Sequence, residues 1–244
     1  MKIALLGYGK MGKTVEAVAK EHGHSISFII DKDNLSDLSK LSRDNTDVVI
    51  EFSEPLSASD NVMACLTAGV NVVCGTTGWN IESGTIADLC KTNRSSFLQS
   101  SNFNIGTHLF FLLNRIMAEK SSELGYRVSI EEIHHVHKKD KPSGTAITLA
   151  NEITGNSTLY NKWKPEGECE KNEKGVITIN SIREGEITGI HTSKWESESD
   201  IIELTHNAKN RMGFASGALL AASFIQNRTG VFSMNDLLTE MFKI

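Results

Sequence analysis

Prolines, cysteines and long apolar runs are scarce in this sequence of 244 residues. It has three prolines and four cysteines, with no internal repeat or low-complexity tract, so we expect neither a long linker nor a disordered region. No apolar stretch approaches the roughly 18 residues of a membrane helix. The start, MKIALLGYGK, is too short and too glycine-interrupted for a signal peptide. These absences favour a cytoplasmic chain without a membrane partner.

The cysteines Cys65, Cys74, Cys90 and Cys169 form no CxxC pair, so we expect buried thiols in a reducing compartment. Hydrophobic residues make up 39% of the chain and charged residues 23%, which suits a packed core. The formal net charge of −5 disfavours broad nucleic-acid binding, and we expect no nucleic-acid partner. The length suits one large domain or two modest ones.

A glycine motif joins the apolar run KIALL (2–6) to a segment with helical apolar spacing, KTVEAVAKEHG (13–23). In this setting Gly7 permits a tight turn, Gly9 lets the backbone approach a pyrophosphate, and Gly12 lets the helix lie close to the strand. The helix start directs its free N–H groups at the phosphates. The predicted cofactor-binding residues are Gly7, Tyr8, Gly9, Lys10, Met11 and Gly12. A purely structural glycine turn is the alternative.

A second apolar run, SISFIID (25–31), ends in Asp31. An acidic side chain at this position can bind the adenosine ribose hydroxyls. Asp31 should repel a 2′-phosphate and favour NADH, whereas Lys32 beside it can neutralise that phosphate. We therefore expect the chain to use NADH and NADPH, with some preference for NADH.

Strand-like and helix-like segments then alternate as far as residue 99. Strands are predicted over 47–52, 71–75 and 95–99, and helices over 56–69 and 81–91. This order predicts a parallel sheet with helices on both faces, an α/β fold of Rossmann type. Polar turns follow two of the strands, at 75–78 and 100–103. Because ligands of open α/β sheets bind beyond the carboxyl ends of strands, we interpret both turns as ligand-facing and not as ordinary loops.

The pattern changes after Asn102. A long helix is predicted over 105–124, and strand-like runs over 126–138, 176–183, 187–196 and 200–208. Strands without helices between them predict an α+β domain with a mixed open sheet, whose exposed face could form an oligomer surface.

Two further helices, over 214–226 and 234–242, are expected to return to the first domain. Residues 156–174 are polar with few apolar anchors and are predicted to form a mobile loop. The expected division is therefore a dinucleotide-binding domain of 1–103 completed by 212–244, and a substrate-binding and oligomerisation domain of 104–211.

Positive charge is concentrated in one stretch of this acidic chain, EIHHVHKKDKPSGTA (132–146). Strand alternation places His134 on one face with Glu132 and Val136, and His135 on the opposite face. Either the strand deforms here, or the two rings have different roles.

Past the histidines, Pro142 ends regular pairing, and Ser143 can cap a helix through AITLANEI. The helix start offers the N–H groups of Gly144 and Thr145, and Lys138 and the imidazoles add positive charge. We interpret the stretch as a pocket for a small dianion carrying carboxylates. A metal site on the histidines and a solvated basic face are the alternatives. No nearby cysteine or supporting group favours a metal, and we expect none.

The stretch EIHHVHKKDKPSGTA resembles the E-x-HH-x-HK-x-D-x-PSGTA signature of the 4-hydroxy-tetrahydrodipicolinate reductase (dihydrodipicolinate reductase) family. The resemblance extends to GYGKMG, EFSEP, VVCGTTG, SSNFNIG and RMGFASGA, and so covers nearly the whole chain. It implies a dinucleotide-binding domain joined to a domain for substrate binding and tetramer formation. It also implies hydride transfer from NADH or NADPH to a cyclic dicarboxylate in diaminopimelate and lysine biosynthesis.

The resemblance further implies roles for individual residues. His134 resembles the family's proton donor or acceptor, and Lys138 its partner acid. The residues that resemble its substrate-carboxylate contacts are His135, Gly144 and Thr145. Ser143, at the same helix start, is also predicted to bind the substrate. The residues that resemble its nicotinamide-side loop and the adjoining crossover are Gly75, Thr76, Thr77, Ser101, Asn102 and Phe103.

Two other functions fit parts of the pattern. Another two-domain nicotinamide enzyme, such as an amino-acid or semialdehyde dehydrogenase, is one of them. The semialdehyde enzyme would need a nucleophilic cysteine, and Cys74 has no evident base near it in sequence. The other is a nucleotide-sensing regulator without turnover, which would have little use for HHxHK and PSGT together. Cofactor oxidation in the presence of the dicarboxylate would separate the three functions.

Overall fold

The computed structural model describes residues 1–80, 83–121, 123–168 and 173–243. They form two compact units, Met1–Ile105 with Arg211–Ile244, and Gly106–Asn210. Each unit has its own sheet. No described helix has the length and apolar character that crossing a membrane requires.

Strands and helices alternate through the first part of the chain, as the apolar spacing predicts. In chain order they are β1 (Lys2–Leu6), α1 (Lys10–Glu21), β2 (Ser25–Ile30), a 3₁₀ helix (Leu35–Lys40), β3 (Val48–Glu51), α2 (Pro55–Thr67), β4 (Asn71–Cys74), α3 (Ser83–Asn93) and β5 (Ser96–Gln99). Residues 81 and 82, at the start of the predicted helix 81–91, lie outside the described residues. The glycine motif runs directly into the first turn of α1.

The second unit contains a mixed open sheet, as expected. Its elements are α4 (Ile105–Ser121, which starts at the boundary), β6 (Arg127–His134), α5 (Gly144–Asn156), β7 (Lys162–Pro165), β8 (Val176–Arg183), β9 (Ile190–Glu196) and β10 (Ile201–Asn207). The strand order is β10-β9-β6-β8-β7. β6, β8 and β7 run parallel, and β9 is antiparallel to both of its neighbours.

The prediction of a mobile loop over 156–174 is wrong for β7, which pairs in parallel with β8. Trp163 of β7 packs against the core of the second unit, and its indole N–H donates to Asn151 Oδ1 at 2.9 Å. A four-residue edge strand with one large apolar side chain is too short to give a recognisable alternation of apolar residues. Residues 169–172 lie outside the described part of the chain.

The chain then returns to the first unit with α6 (Met212–Ile225), β11 (Gly230–Phe232) and α7 (Met234–Phe242). The first sheet has the order β11-β5-β4-β3-β1-β2, and all neighbouring strands are parallel. β11 was not predicted, because three residues carry no usable periodicity. The connection from β2 to β3 passes β1, so the strand order reverses between β1 and β3. This reversal is where parallel α/β sheets bind ligands.

Helices cover both faces of the first sheet. On β1, Ile3 and Leu5 pack against α1, α6 and α7, while Ala4 and Leu6 pack against α2 and α3 on the opposite face. Burying a side chain of the size of leucine contributes about 1.5–3 kcal/mol, so this strand is fixed firmly from both sides. The glycine turn that follows it is therefore attached to a rigid support.

In the described part of the second unit, its helices cover one face of the sheet. Val128 and Ile130 of β6 point into a core formed with α4 and α5, whereas Glu131, the residue after Ile130, is exposed. At the edge strand β10, Ile201 projects from the opposite face and is 51% exposed. Among the described residues, no helix of this unit covers the opposite face of the sheet.

Candidate active site

Three glycines of the predicted cofactor motif have different surroundings. Gly7 follows β1 at the reversal of strand order and has a φ of +86°, and a Cβ there would overlap the carbonyl group of Phe52. A Cβ on Gly12 would overlap the carbonyl oxygen of Gly7. A Cβ on Gly9 would meet nothing within 4 Å. Gly7 and Gly12 are therefore required by the turn itself, whereas Gly9 leaves open space beside the helix start.

The N-terminus of α1 is suited to an anion. Gly9 precedes the helix in an extended conformation without a side-chain cap, and the first turn contains no acidic residue. The N–H groups of this turn have no acceptor within the helix, and they add to the positive end of the helix dipole. Lys10 is exposed here, whereas Met11 packs against the core. The open space and the free N–H groups fit the pyrophosphate of a dinucleotide.

The other predicted cofactor residues follow neighbouring strands at the same sheet edge. Asp31 and Lys32 come directly after β2, and both side chains are exposed. The Asp31 carboxylate accepts the backbone N–H of Lys32 at 2.9 Å. The hydroxyl of Tyr8 instead donates to Glu16. Asp31 is therefore available to a ligand, and Tyr8 is held against its own helix.

The turns after β4 and β5 are packed more tightly than their polar sequences suggested. A Cβ on Gly75 would overlap the ring of Phe52, and Thr76 is 6% exposed. Phe103 is 2% exposed and packs edge-on against Phe52, with ring centroids 6.0 Å apart. Only the backbone of Phe103 can therefore face a ligand. Thr77 and Ser101 are the exposed side chains of the two turns.

The thiol of Cys74 lies beneath these turns. It is fully buried and donates to Glu51 Oε2 at 2.9 Å. Burial, followed by the nearby Glu51 carboxylate, raises the pKa of Cys74 far above its usual value. A protonated, buried thiol cannot act as a nucleophile, which removes the basis of the semialdehyde dehydrogenase alternative. Cys65 and Cys90 are also buried free thiols, as expected, and Cys169 lies outside the described residues.

In the second unit, β6 ends at His134, and this separates the two adjacent histidines. His134 is buried on the face of β6 that packs into the core. His135 lies in the following turn, where its N–H donates to the carbonyl oxygen of Ile187 at 2.8 Å. The predicted face does not continue to Val136, which is 56% exposed, because the strand has already ended. The two rings therefore belong to different elements.

Glu132 is the residue around which this site is organised, and the sequence analysis did not assign it a role. Its side chain is fully buried. Oε1 accepts the backbone N–H of Ser143 at 2.9 Å and Nη2 of Arg183 at 3.1 Å. Oε2 lies 3.4 Å from His134 Nδ1 and 3.7 Å from His191 Nε2. Arg183 and His191 were likewise missed. The available signal was a carboxylate on the apolar face of a strand.

The charges of this cluster can be assigned. Burial alone would raise the pKa of Glu132, but hydrogen bonds from Ser143 and Arg183 outweigh it and hold that pKa below its usual value. Burial lowers the pKa of His134 although the Glu132 carboxylate opposes this. Burial, with His134 nearby, lowers the pKa of His191 to about 3. The cluster therefore holds an ionised Glu132 beside a neutral His191.

The basic loop after β6 is anchored by Arg183. Its Nη2 donates to the carbonyl oxygen of Asp140 at 2.6 Å, and its Nε donates to that of Lys138 at 3.4 Å. The Lys138 ammonium lies 2.8 Å from the Asp140 carboxylate. On the other side of the ring, a Cβ on Gly189 would lie 3.0 Å from His134 Nε2. A glycine at this position therefore avoids crowding that nitrogen.

Ser143 caps α5, as predicted. Its Oγ accepts the N–H of Ala146 at 3.3 Å and lies 3.2 Å from His191 Nε2. Ser143 is only 2% exposed, so its hydroxyl serves the cap. The N–H groups of Gly144 and Thr145 in the first turn have no acceptor within the helix. They are the groups that this helix start offers to an anion.

Three side chains of this cluster have a metal-ligating atom each. The candidate ligand atoms of Glu132, His134 and His191 lie within 4.8 Å of one another. Arg183 already donates to the same carboxylate at 3.1 Å, so a divalent cation would have to share Glu132 with a fixed guanidinium. We therefore interpret the three as a hydrogen-bonding group and not as a metal centre.

The fold and the two sets of residues define a class of protein. A parallel α/β unit with a glycine turn at the reversal of strand order is typical of nicotinamide dinucleotide binding, and the second unit supplies a buried histidine beside a basic loop. Together they describe a two-domain NAD(P)H-dependent oxidoreductase.

Family models make the assignment specific. Residues 1–103 match "Dihydrodipicolinate reductase, N-terminus", and residues 106–238 match "Dihydrodipicolinate reductase, C-terminus". The chain belongs to the dihydrodipicolinate reductase family.

Individual relatives support the same family assignment. The 4-hydroxy-tetrahydrodipicolinate reductase of Christiangramia forsetii is 43% identical, with both chains covered completely. The enzyme of that name from Neisseria gonorrhoeae is 32% identical over 79% of this chain and 72% of its own. Among solved structures, the dipicolinate-bound dihydrodipicolinate reductase of Paenisporosarcina sp. TG-14 has a TM-score of 0.75 at 21% identity, and covers 96% of this chain and 97% of its own. That structural likeness supports the fold.

The neutral state of His191 predicts an acid-sensitive fold. In the unfolded chain this histidine takes up a proton near pH 6.5, but in the folded chain its pKa is about 3. Between these values the unfolded state binds the extra proton. The free energy of unfolding should therefore decrease as the pH is lowered, by up to about 1.4 kcal/mol per pH unit for this proton.

Urea unfolding of the wild type and of His191→Gln, between about pH 4 and pH 7, measures this contribution. The variant should lose less stability as the pH falls. The exposed His137 provides the control, because His137→Gln should keep the wild-type slope. Equal slopes for the wild type and His191→Gln would contradict the assignment of a neutral buried ring.

Proposed function

We propose that the chain reduces 4-hydroxy-tetrahydrodipicolinate to tetrahydrodipicolinate in the diaminopimelate and lysine pathway, in the cytoplasm. NADH or NADPH supplies the hydride, the protein delivers a proton, and water leaves the substrate, so that the reaction balances. The observation that carries this proposal is the continuous segment from Glu132 to Thr145. It joins a buried histidine, a basic loop and an open helix start in one short stretch of chain.

The substrate carries two carboxylates, and several groups of this segment are suited to bind them. The N–H groups of Gly144 and Thr145 lie at the positive end of the 13-residue helix α5. His135 and Lys138 add donors from the preceding loop. Gripping the carboxylates in this way orients the ring before any bond changes. Ser143 contributes through the cap, because its hydroxyl is already engaged.

The proton is assigned to His134, with Lys138 as its partner. After hydride addition, excess electron density on the neighbouring carbon must be protonated. A buried histidine can hold that proton in a site from which water is largely excluded. Lys138 lies in the adjoining loop and can return a proton to the ring after the transfer.

The cofactor is assigned to the carboxyl edge of the first sheet. The open space at Gly9 and the N–H groups of α1 suit the pyrophosphate, and Asp31 suits the adenosine ribose. Lys32 can neutralise a 2′-phosphate, so both cofactors are expected, with some preference for NADH. The turns after β4 and β5 contribute Gly75–Thr77 and Ser101–Phe103, the last residue through its backbone.

Gly9→Val should abolish cofactor binding without damage to the fold. The position has no neighbour within 4 Å and a negative φ of −78°, so valine is tolerated, but its side chain would occupy the proposed pyrophosphate space. Fluorescence titration with NADH measures the affinity, and thermal unfolding without cofactor measures stability. A variant of wild-type stability that still bound NADH with wild-type affinity would contradict this site.

His134→Ala and Lys138→Ala should bind NADH normally but lose turnover. Loss of a general acid typically lowers kcat by about 10²–10⁴-fold. His135→Ala should instead raise KM more than it lowers kcat, because a carboxylate grip acts in the ground and transition states alike. Steady-state kinetics with the dicarboxylate, corrected for folded protein, measure all three variants.

His137→Ala serves as the matched control within the same loop. Its side chain is 71% exposed and pairs with Glu186 at the surface, so this variant should behave as the wild type. A near-normal kcat in both His134→Ala and Lys138→Ala would refute the catalytic assignment, even if the wild type reduces the dicarboxylate.

We also propose a homotetramer formed through the uncovered face of the second sheet. Ile201 at the edge strand projects from this face and is 51% exposed, and an open sheet of this kind gains from a covering partner. Light scattering at micromolar concentration should give the mass of four 26.8-kDa chains. A stable monomer would contradict the proposal.

A further inference from the structure

Two buried polar atoms in the second unit lie close together, and neither makes a well-aligned hydrogen bond among the described residues. They are Oε2 of Glu132 and Nδ1 of His134, and they lie 3.4 Å apart. Both residues belong to β6 and are separated by one residue, so both side chains project from the same face of the strand. The strand geometry itself therefore holds the carboxylate and the ring together.

The protonation of one of these atoms follows from the other. Glu132 is held as a carboxylate, because its Oε1 accepts from Ser143 at 2.9 Å and from Arg183 at 3.1 Å. A carboxylate can only accept hydrogen bonds. A carboxylate 3.4 Å away favours a proton on Nδ1 of His134, which leaves Nε2 as the nitrogen that can exchange a proton with a ligand. Nε2 is also the nitrogen that a side chain at position 189 would crowd.

His191 closes the other side of this arrangement. Its ring lies edge-on to that of His134, with centroids 4.9 Å apart at 72°, and its Nε2 lies 3.2 Å from Ser143 Oγ. Because His191 stays neutral when buried, it packs against His134 without adding a second positive charge. Of the two rings near the Glu132 carboxylate, His134 is therefore the one that can become positively charged.

We infer that Glu132 is a positioning residue for the reaction: it fixes His134 as the Nδ1–H tautomer, so that Nε2 transfers the proton. Through Ser143 the same carboxylate ties the ring to the start of the helix that grips the substrate. This inference rests on the proposed function for its role in turnover, whereas the tautomer can be measured without substrate.

The charges around His134 determine the sign of the expected pH effect. The groups that face the ring are Glu132 on β6, Lys138 and Asp140 in the following loop, Arg183 on β8 and His191 on β9. The two carboxylates favour the protonated ring, and the two cations oppose it. Removing the Glu132 charge should make His134 harder to protonate. Since a general acid must be protonated, the falling limb of kcat should move to lower pH.

Nitrogen NMR of ¹⁵N-histidine-labelled protein tests the tautomer directly, with His134→Gln used to assign the signals. Neutral His134 in the wild type should carry its proton on Nδ1. In Glu132→Gln the midpoint of the His134 titration should fall by about one pH unit. An Nε2–H tautomer in the wild type, or an unchanged midpoint in the variant, would overturn the inference. If Glu132→Gln does not fold, the wild-type tautomer alone decides.

Kinetics then test the role in turnover. Glu132→Gln should lower kcat by roughly 10- to 100-fold, and should move the falling limb of its pH profile by about one unit, because an orienting carboxylate contributes up to about 10⁴-fold in a serine-protease triad. Glu131→Gln is the matched control, since Glu131 is the exposed neighbour on the opposite face of the strand. Its kcat and pH profile should match the wild type.

The NMR and kinetic measurements distinguish a failure of the positioning role of Glu132 from a failure of the proposed function. A stable Glu132→Gln variant that kept the wild-type pH profile and kcat would overturn the positioning role. If the wild type did not reduce the dicarboxylate at all, the proposed function would fail. The placement of the proton on His134 would still be judged by NMR.

Discussion

The second unit depends on one buried negative charge. Glu132 lies on β6, receives Arg183 from β8 and receives the backbone N–H of Ser143 at the start of α5. Moving a carboxylate out of water costs several kcal/mol unless such partners compensate for it. Two parallel strands, the loop between β6 and α5, and the helix start must therefore be in place together. The basic loop after β6, which looks like a surface loop in sequence, is in this way held in place by buried side chains.

The first unit achieves the same rigidity by steric means. Its glycine turn is determined by the close approach of Gly7 to Phe52 and of Gly12 to Gly7, with no buried charge involved. A turn fixed by backbone contacts can keep its N–H groups free, because no side chain is needed to hold it. The two units thus offer anions the same kind of group, a helix N-terminus, but support it by packing in one case and by electrostatics in the other.

Sequence patterns predicted most of the fold because the relevant signals are local. Apolar alternation and glycine spacing located the strands and helices of both sheets, and Ser143 was recognisable as a helix cap. The short strands β7 and β11 were missed, because three or four residues carry no usable period. Arg183 and His191 lie far from Glu132 in sequence, and no local pattern links them. Phe103 was expected in a polar, ligand-facing turn, but the packing of its ring on Phe52 shows only in three dimensions.

The position of His134 also depends on Gly189, a residue that takes no part in the reaction. It has no positive φ that would demand glycine, so its own backbone would accept a larger residue. The restraint comes instead from the imidazole, whose Nε2 would lie 3.0 Å from any added Cβ. A variant at this position could fold and still present a displaced ring. A substitution of Gly189 could then abolish function although glycine has no reactive group. The displaced residue, His134, would itself be unchanged in sequence.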